Sequence, residues 1–329
     1  MTASRPAIVC LGAGRMGRGI AVAFAYAGHA VTLVDVKMAR TDEQFAGLEA
    51  AAVGEIRKTL ATLTRSCLIT DADAEKIIAR VAVVPQSCGP EPLANADVVF
   101  EGVPEIVELK RDVLAGTSQF VRPDVIIAST TSTILVDDLS SAVKRPERFL
   151  NVHWLNPAYL IPLVEISPGK ATDPATLARI KALLEGIGKV PVVCAATPGF
   201  IVPRIQALAM NEAARMVEEG VASAEEIDKA IRYGFGFRYA VLGLLEFVDW
   251  GGGDILYYAS RYLESALGSE RYRAPDVISK NMQEGRIGLR TGAGFLDYSR
   301  LDVDAYREQR LAELVDMLRH FGLARPPVI

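Results

Sequence analysis

An α/β fold is what this sequence predicts: a doubly wound parallel sheet with a helical insert, followed by an all-α C-terminal domain. Three observations predict it. A short apolar run, Ala7–Leu11, leads directly into Gly12-Ala-Gly14-Arg15-Met16-Gly17 and then a helical pattern from Ile20 to Ala27. Strand-length apolar runs then alternate with helical stretches as far as Cys194, the pattern of a parallel sheet wrapped by helices. Beyond Thr197 apolar residues recur only at helical spacing, as at Ile201, Ile205, Leu208 and Met216. The expected domains are residues 1–196 and 197–329.

The first unit is a dinucleotide-binding, Rossmann-type pattern. Gly12 makes the tight turn, Gly14 lets the backbone approach a pyrophosphate, and Gly17 lets helix and strand pack closely. The exposed N–H groups and dipole of the helix start favour phosphate charge. A second apolar run, Ala30–Val34, ends in Asp35, which would accept hydrogen bonds from a ribose diol and repel a 2′-phosphate. The expected cofactor is therefore NAD rather than NADP. A glycine-rich turn of an unrelated α/β domain would lack this strand before, helix after and acid at the right distance.

Residues 42–80 read as an inserted helical pair with charged faces, since a plain dinucleotide-binding half needs far fewer residues there. Strands resume at Val81–Val84 and Asp97–Phe100, and a helix is expected from about Val107 to Phe120. The strand Val125–Ala128 leads into the hydroxyl run Ser129–Thr133, and Val190–Cys194 is the last strand expected in this half. Ligands of such sheets bind at strand C-termini, where Glu105, Lys110, Ser132 and His153 all fall. The hydroxyl run would equally serve as a turn and helix cap. What favours Ser132 is its position after a central strand, facing the same crevice as His153.

His153 ends one apolar run and Glu165 lies inside the next. A histidine oriented by a carboxylate can act as a base at neutral pH. Together with the dinucleotide signature, the pair suggests hydride transfer to or from an alcohol carbon. Of the other two histidines, His29 sits in a helix-to-strand turn and His320 in a C-terminal helix without a motif.

The remaining bounds are negative. The chain has 329 residues and a net charge of −4, with no basic stripe, so nucleic acid is not an expected partner. Its four cysteines are scattered without a metal-ligand spacing, which suits free thiols in a reducing compartment, and no metal is expected. A strand by residue 7 leaves no room for a signal peptide, and no apolar run approaches a membrane span. The expectation is a cytoplasmic protein with a small-molecule substrate and no membrane partner. The extensive apolar surface of its helical half suggests a homodimer.

With these residues in hand, the chain resembles the 3-hydroxyacyl-CoA dehydrogenase family over essentially its whole length. The resemblance rests on Gly12–Gly17 with Asp35, the insert at 42–80, Ala96–Glu105 with Lys110, and Ser129–Thr133. It continues through His153–Pro157 with Glu165, Thr197–Phe200, and the glycine-rich Gly285–Phe295. It implies that His153 takes the hydroxyl proton as hydride leaves the carbinol carbon, and that Glu165 orients His153 and stabilises its protonated form. Ser132 would hydrogen-bond the substrate oxygen, Asn156 would fix the loop at the nicotinamide, and Glu105 and Lys110 would lie near the nicotinamide ribose.

Departures from the family pattern bear on substrate. Pro203 stands where thioester-using members carry an Asn that contacts the substrate oxygen, and Thr130 stands where Asn is common. The insert has no obvious match to the lysine that meets the CoA phosphates; Arg57, Lys58 and Arg65 are candidates. Arg238, in Gly236-Phe-Arg-Tyr-Ala, is similar to relatives that oxidise free hydroxy acids, such as L-gulonate 3-dehydrogenase (lambda-crystallin) and carnitine dehydrogenase. There an arginine could clamp a carboxylate in bidentate fashion, or simply sit at the surface. The expected function is interconversion of a short-chain L-3-hydroxyacyl-CoA and its 3-oxo form. The same chemistry on a free 3-hydroxy acid is the first alternative, and a non-catalytic NAD(H)-binding structural protein the second.

Overall fold

The structure, a computed structural model, describes residues 5–37 and 40–328. Eight strands form one sheet: β1 (Ile8–Leu11), β2 (Val31–Val34), β3 (Val81–Val84), β4 (Val98–Glu101), β5 (Ile126–Ser129), β6 (Phe149–Trp154), β7 (Leu163–Pro168) and β8 (Val190–Val193). Their order is β3-β2-β1-β4-β5-β6-β7-β8. Pairing is parallel throughout except between β6 and β7, which run antiparallel. The strands β1, β4 and β5 are buried on both faces, which is why their sequences are continuous apolar runs rather than alternating ones.

The first helix, α1 (Arg15–Tyr26), turns Ile20, Ala21, Phe24 and Ala25 onto the sheet. Phe24 meets Phe100 at 5.4 Å and Trp154 at 6.0 Å between ring centres. This aromatic cluster ties β4 and β6 to the helix. The insert is a helical pair, α2 (Asp42–Arg65) and α3 (Asp71–Ile78), and each helix begins with a capping box, at Thr41/Gln44 and Thr70/Asp73. Short α4 (Pro90–Asn95) precedes β4, and α5 (Val107–Thr117) follows it. The latter ends three residues before Phe120, where turn bonds replace the helical ladder. Helices α6 (Val136–Ser140) and α7 (Pro174–Gly186) complete this half, and α8 (Val202–Glu218) follows β8.

The chain divides into two compact units, one up to Ala209 and one from Met210. All eight strands lie in the first. The second is helical, with Ala224–Ala230, Leu244–Gly251, Gly253–Leu267, Asp276–Gln283 and Val303–His320 as its longer helices. Its fixed point is Asp249, 2 % exposed, which accepts the amides of Phe295 and Leu296 at 2.9 and 2.8 Å. A Cβ on Gly294 would lie 2.0 Å from an Asp249 carboxylate oxygen, so the glycine-rich segment 285–295 wraps this acid closely. The helix Gly253–Leu267 has no buried residue and exposes Ile255, Tyr258 and Tyr262. Among the described residues no helix is long and apolar enough to cross a membrane, and the four cysteines are free thiols.

Candidate active site

His153 and Glu165 are register partners across β6 and β7. Residues directly opposite on an antiparallel pair project to the same face, and His153 Nδ1 lies 2.7 Å from Glu165 Oε2. Both side chains are buried. Burial raises the Glu165 pKa, but hydrogen bonds from His153 and from the amides of Val202 and Ile201 outweigh it and hold the carboxyl below its ordinary value. An ionised carboxylate only accepts, so Nδ1 carries the proton and donates. In the neutral imidazole this leaves Nε2 with a free lone pair, which is the form a general base requires.

The other Glu165 oxygen, Oε1, accepts the amides of Ile201 at 2.9 Å and Val202 at 2.8 Å. These are amides at the start of α8, where the helix has no internal acceptor to offer. Phe200 precedes them in the left-handed region, φ 44°, and its ring centre is 5.5 Å from that of His153. The turn from Phe200 to Val202 therefore contacts both members of the pair. Pro203, the second residue of α8, has no N–H to give and disturbs neither bond.

A second cluster lies at the ends of β4 and β5. Glu101 is fully buried and accepts Lys110 Nζ at 2.8 Å, the Val103 amide at 2.7 Å and Ser129 Oγ at 2.6 Å. Lys110, 1 % exposed, also lies 3.4 Å from Glu105. Glu105 accepts the Thr131 hydroxyl, the amides of Ser132 and Thr133 at 3.0 and 3.1 Å, and the Thr133 hydroxyl at 3.0 Å. Burial raises the Glu105 pKa; the Thr131 hydroxyl, the Lys110 charge and Thr133 together bring it below the ordinary value. Ser132 itself is exposed, its backbone fixed by Glu105.

The dinucleotide cradle fits the expected cofactor. Gly12 has φ +101°, and a Cβ on Gly17 would lie 2.0 Å from the Gly12 carbonyl oxygen, so only glycine lets α1 start where it does. A Cβ on Gly14 would meet nothing within 4 Å, and α1 has no side-chain cap, so its first N–H groups face open space suited to a pyrophosphate. Arg15 is exposed and Met16 half-buried at this turn. Asp35 directly follows the second strand and lines a cavity of about 610 Å³ with Val36, Pro85, Gln86 and Phe120. Its carboxylate accepts the Lys37 amide at 3.2 Å and pairs with Arg40.

Asn156 lies on the connection between β6 and β7 and lines a separate cavity of about 340 Å³ with Arg15, Arg18, Glu55 and Tyr159. Lys189 anchors this connection, donating to the carbonyls of Ala158 at 2.7 Å and Ile161 at 2.8 Å. Of the insert's basic residues, Arg57 pairs with Glu75 at 2.6 Å and Lys58 with Glu55 at 2.7 Å, while Arg65 donates to Thr62. Arg238 belongs to the second unit, where it donates to the Gly234 carbonyl at 3.0 Å and lies 4.9 Å from the Phe247 ring centre. The structure thus brings together His153 with Glu165, and Glu105 with Lys110 and the Ser132 backbone. Sequence reasoning gave no individual role to Glu101, Thr131 or Phe200, and missed Arg40, Lys189 and the amides of 201 and 202. Glu101 and Lys189 were findable as charges in or beside apolar strands; the amides leave no side-chain signal.

Known proteins of similar sequence and structure point to one family. Residues 7–197 match the family model of the 3-hydroxyacyl-CoA dehydrogenase NAD binding domain, and residues 199–298 that of the C-terminal domain. A 5-formyl-3-hydroxy-2-methylpyridine 4-carboxylate 5-dehydrogenase of Mesorhizobium japonicum is 30% identical, over 95% of this chain and 97% of its own. A 3-hydroxybutyryl-CoA dehydrogenase of Bradyrhizobium diazoefficiens is 33% identical, over 88% of this chain and 94% of its own. The crystal structure of a 3-hydroxyacyl-CoA dehydrogenase from Archaeoglobus fulgidus superimposes with a TM-score of 0.77 at 32% identity, covering 97% of this chain and 100% of the other. The chain belongs to the 3-hydroxyacyl-CoA dehydrogenase family and is an NAD-dependent oxidoreductase.

Proposed function

We propose that this enzyme interconverts a short-chain L-3-hydroxyacyl-CoA and its 3-oxo form, with His153 as general base. The observation that carries the proton chemistry is the 2.7 Å bond between His153 and Glu165. It leaves Nε2 free to take the hydroxyl proton, and Glu165 stabilises the imidazolium that results. NAD, when bound, supplies the hydride acceptor. Ser132 orients the substrate oxygen, and Asn156 fixes the connection beside the reactive end. Gly12, Gly14, Arg15, Met16, Gly17 and Asp35 hold the dinucleotide, with Glu105 and Lys110 toward the nicotinamide ribose. The thioester reading is supported by the hydroxybutyryl-CoA and hydroxyacyl-CoA relatives.

A second reading keeps the chemistry and makes the substrate a free hydroxy acid, with Arg238 as a carboxylate clamp. The engaged state of Arg57 and Lys58 favours it, since both basic side chains already carry an acidic partner. So does the Mesorhizobium relative, whose named substrate is a pyridine carboxylate rather than a thioester. One assay separates the two: NADH oxidation with acetoacetyl-CoA, beside NAD reduction with free L-3-hydroxybutyrate, L-gulonate and carnitine. Turnover of the thioester alone supports the first reading; turnover of a free acid alone replaces it with the second.

The change of role along the chain is assigned to 196/197, with cofactor binding before it and substrate binding and dimerisation after it. A cytoplasmic homodimer is the assembly proposed. The exposed apolar side chains of Gly253–Leu267 support the dimer, and light scattering at micromolar concentration tests it: a monomer mass would reject it.

A further inference from the structure

We propose that Glu101 is a positioning residue for the reactive end of the cofactor site: by neutralising Lys110 in the core it fixes Glu105, and through Glu105 the backbone of Ser132 and Thr133. The inference rests on the reading of Glu105 and Ser132 as parts of that end.

Lys110 is too deeply buried to act as a surface cation. At 1 % exposed, its ammonium is costly in the fold without a counter-charge. Glu101 meets it with both oxygens, at 2.8 and 3.1 Å, while Val103 O accepts from it at 3.2 Å. The third direction of the ammonium points toward Glu105 Oε2 at 3.4 Å. Glu101 is in turn held from the sheet side by Ser129 Oγ and from the turn by the Val103 amide. Every group around Glu101 is thus committed, and the free orientation of the Lys110 head is removed. Glu105 is the next link. Its Oε1 gathers the backbone of residues 132 and 133 and the hydroxyls of 131 and 133, leaving Ser132 exposed on a fixed loop. The order of the chain is therefore core acid, core cation, half-exposed acid, exposed loop. Loss of the first member leaves the Lys110 head unfixed, and with it the cation that holds Glu105 against the amides of 132 and 133.

Glu101→Gln keeps the side-chain shape and removes the charge. NADH, followed by its fluorescence, is expected to bind about tenfold more weakly. ADP, which occupies only the adenosine end, is expected to bind within about twofold of wild type. Equal weakening of NADH and ADP, or no weakening of either, overturns the proposal. The double variant Glu101→Gln/Lys110→Met removes the cation with its counter-charge and so separates positioning from the folding cost of an unpaired charge. It too should bind NADH about tenfold more weakly with ADP unaffected, and recovery of NADH affinity would overturn the proposal even if the single variant fails to fold. Failure of the underlying reading looks different: Glu105→Gln and Ser132→Ala would then leave NADH binding and turnover unchanged.

Discussion

His153 and Glu165 face each other across the antiparallel pair of an otherwise parallel sheet, and the carboxylate is held on its far side by two amides at the start of α8. One oxygen therefore sets the imidazole tautomer and the other fixes the carboxylate. In His153→Ala, kcat is expected to fall by about 10³, within the usual span of general acid–base catalysis, with NADH affinity unchanged. Glu165→Gln should lose about 10² in kcat, because an amide can present either a donor or an acceptor to Nδ1. Steady-state kinetics with NADH titrations check both, and unchanged kcat in His153→Ala would remove it from the mechanism.

The depressed pKa of Glu165 carries a stability consequence with a definite sign. A carboxyl whose folded pKa lies below its unfolded value stabilises the fold above the unfolded value, and that contribution is lost as pH falls through the folded one. Wild type should therefore melt above Glu165→Gln at pH 7, with the gap closing as pH drops below about 4. A gap that stays constant into acid would mean that the ionised form is not what the fold favours.

Asp35 gives a cofactor test. Asp35→Ser removes a charged acceptor for the ribose diol, so NADH should bind about tenfold more weakly or worse. The ratio of NADPH to NADH affinity should rise, since the repulsion of a 2′-phosphate is removed at the same time. Fluorescence titration with both nucleotides checks this.

In the same cradle, Gly17→Ala would force a methyl to within 2.0 Å of the Gly12 carbonyl oxygen. Relief requires α1 to move off the sheet, at a cost of about 1–3 kcal/mol or more. Urea unfolding reads the loss of stability, and NADH titration the accompanying loss of affinity.

The helical unit has its own anchor in Asp249. Asp249→Ala strands the amides of Phe295 and Leu296 and costs about 2–4 kcal/mol. Thermal unfolding measures it, and a cost under about 0.5 kcal/mol, the range of surface substitutions, would show that the glycine-rich segment is held by something else.

Much of this was legible in the sequence, for physical reasons that differ by element. Gly12 and Gly17 are readable because sterics leave no other residue for those turns, and β1, β4 and β5 because burial on both faces demands apolar runs. The insert was readable from its length and charged faces. His153 and Glu165 were readable as a pair on neighbouring strand ends, but their antiparallel register was not. Their opposition depends on the chain reversing between Trp154 and Leu163, and parallel pairing elsewhere gives no hint of it. The amides of Ile201 and Val202 were invisible because any residue but proline supplies them. Glu101 was visible as an acid at the end of Val-Val-Phe, yet its role depends on Lys110 folding back over the strand end. The pairing of Arg57 and Lys58 with Glu75 and Glu55 likewise needed the helices in place.

The amides that serve Glu165 come from residues 201 and 202, immediately ahead of Pro203, whereas the Arg204 amide donates to the Gly199 carbonyl and the i→i−4 ladder starts at Ile205. Position 203 thus contributes no backbone hydrogen bond to the proton-handling pair. Its side chain can be exchanged without removing either amide from Glu165, so the lining at that point can change while the carboxylate stays held.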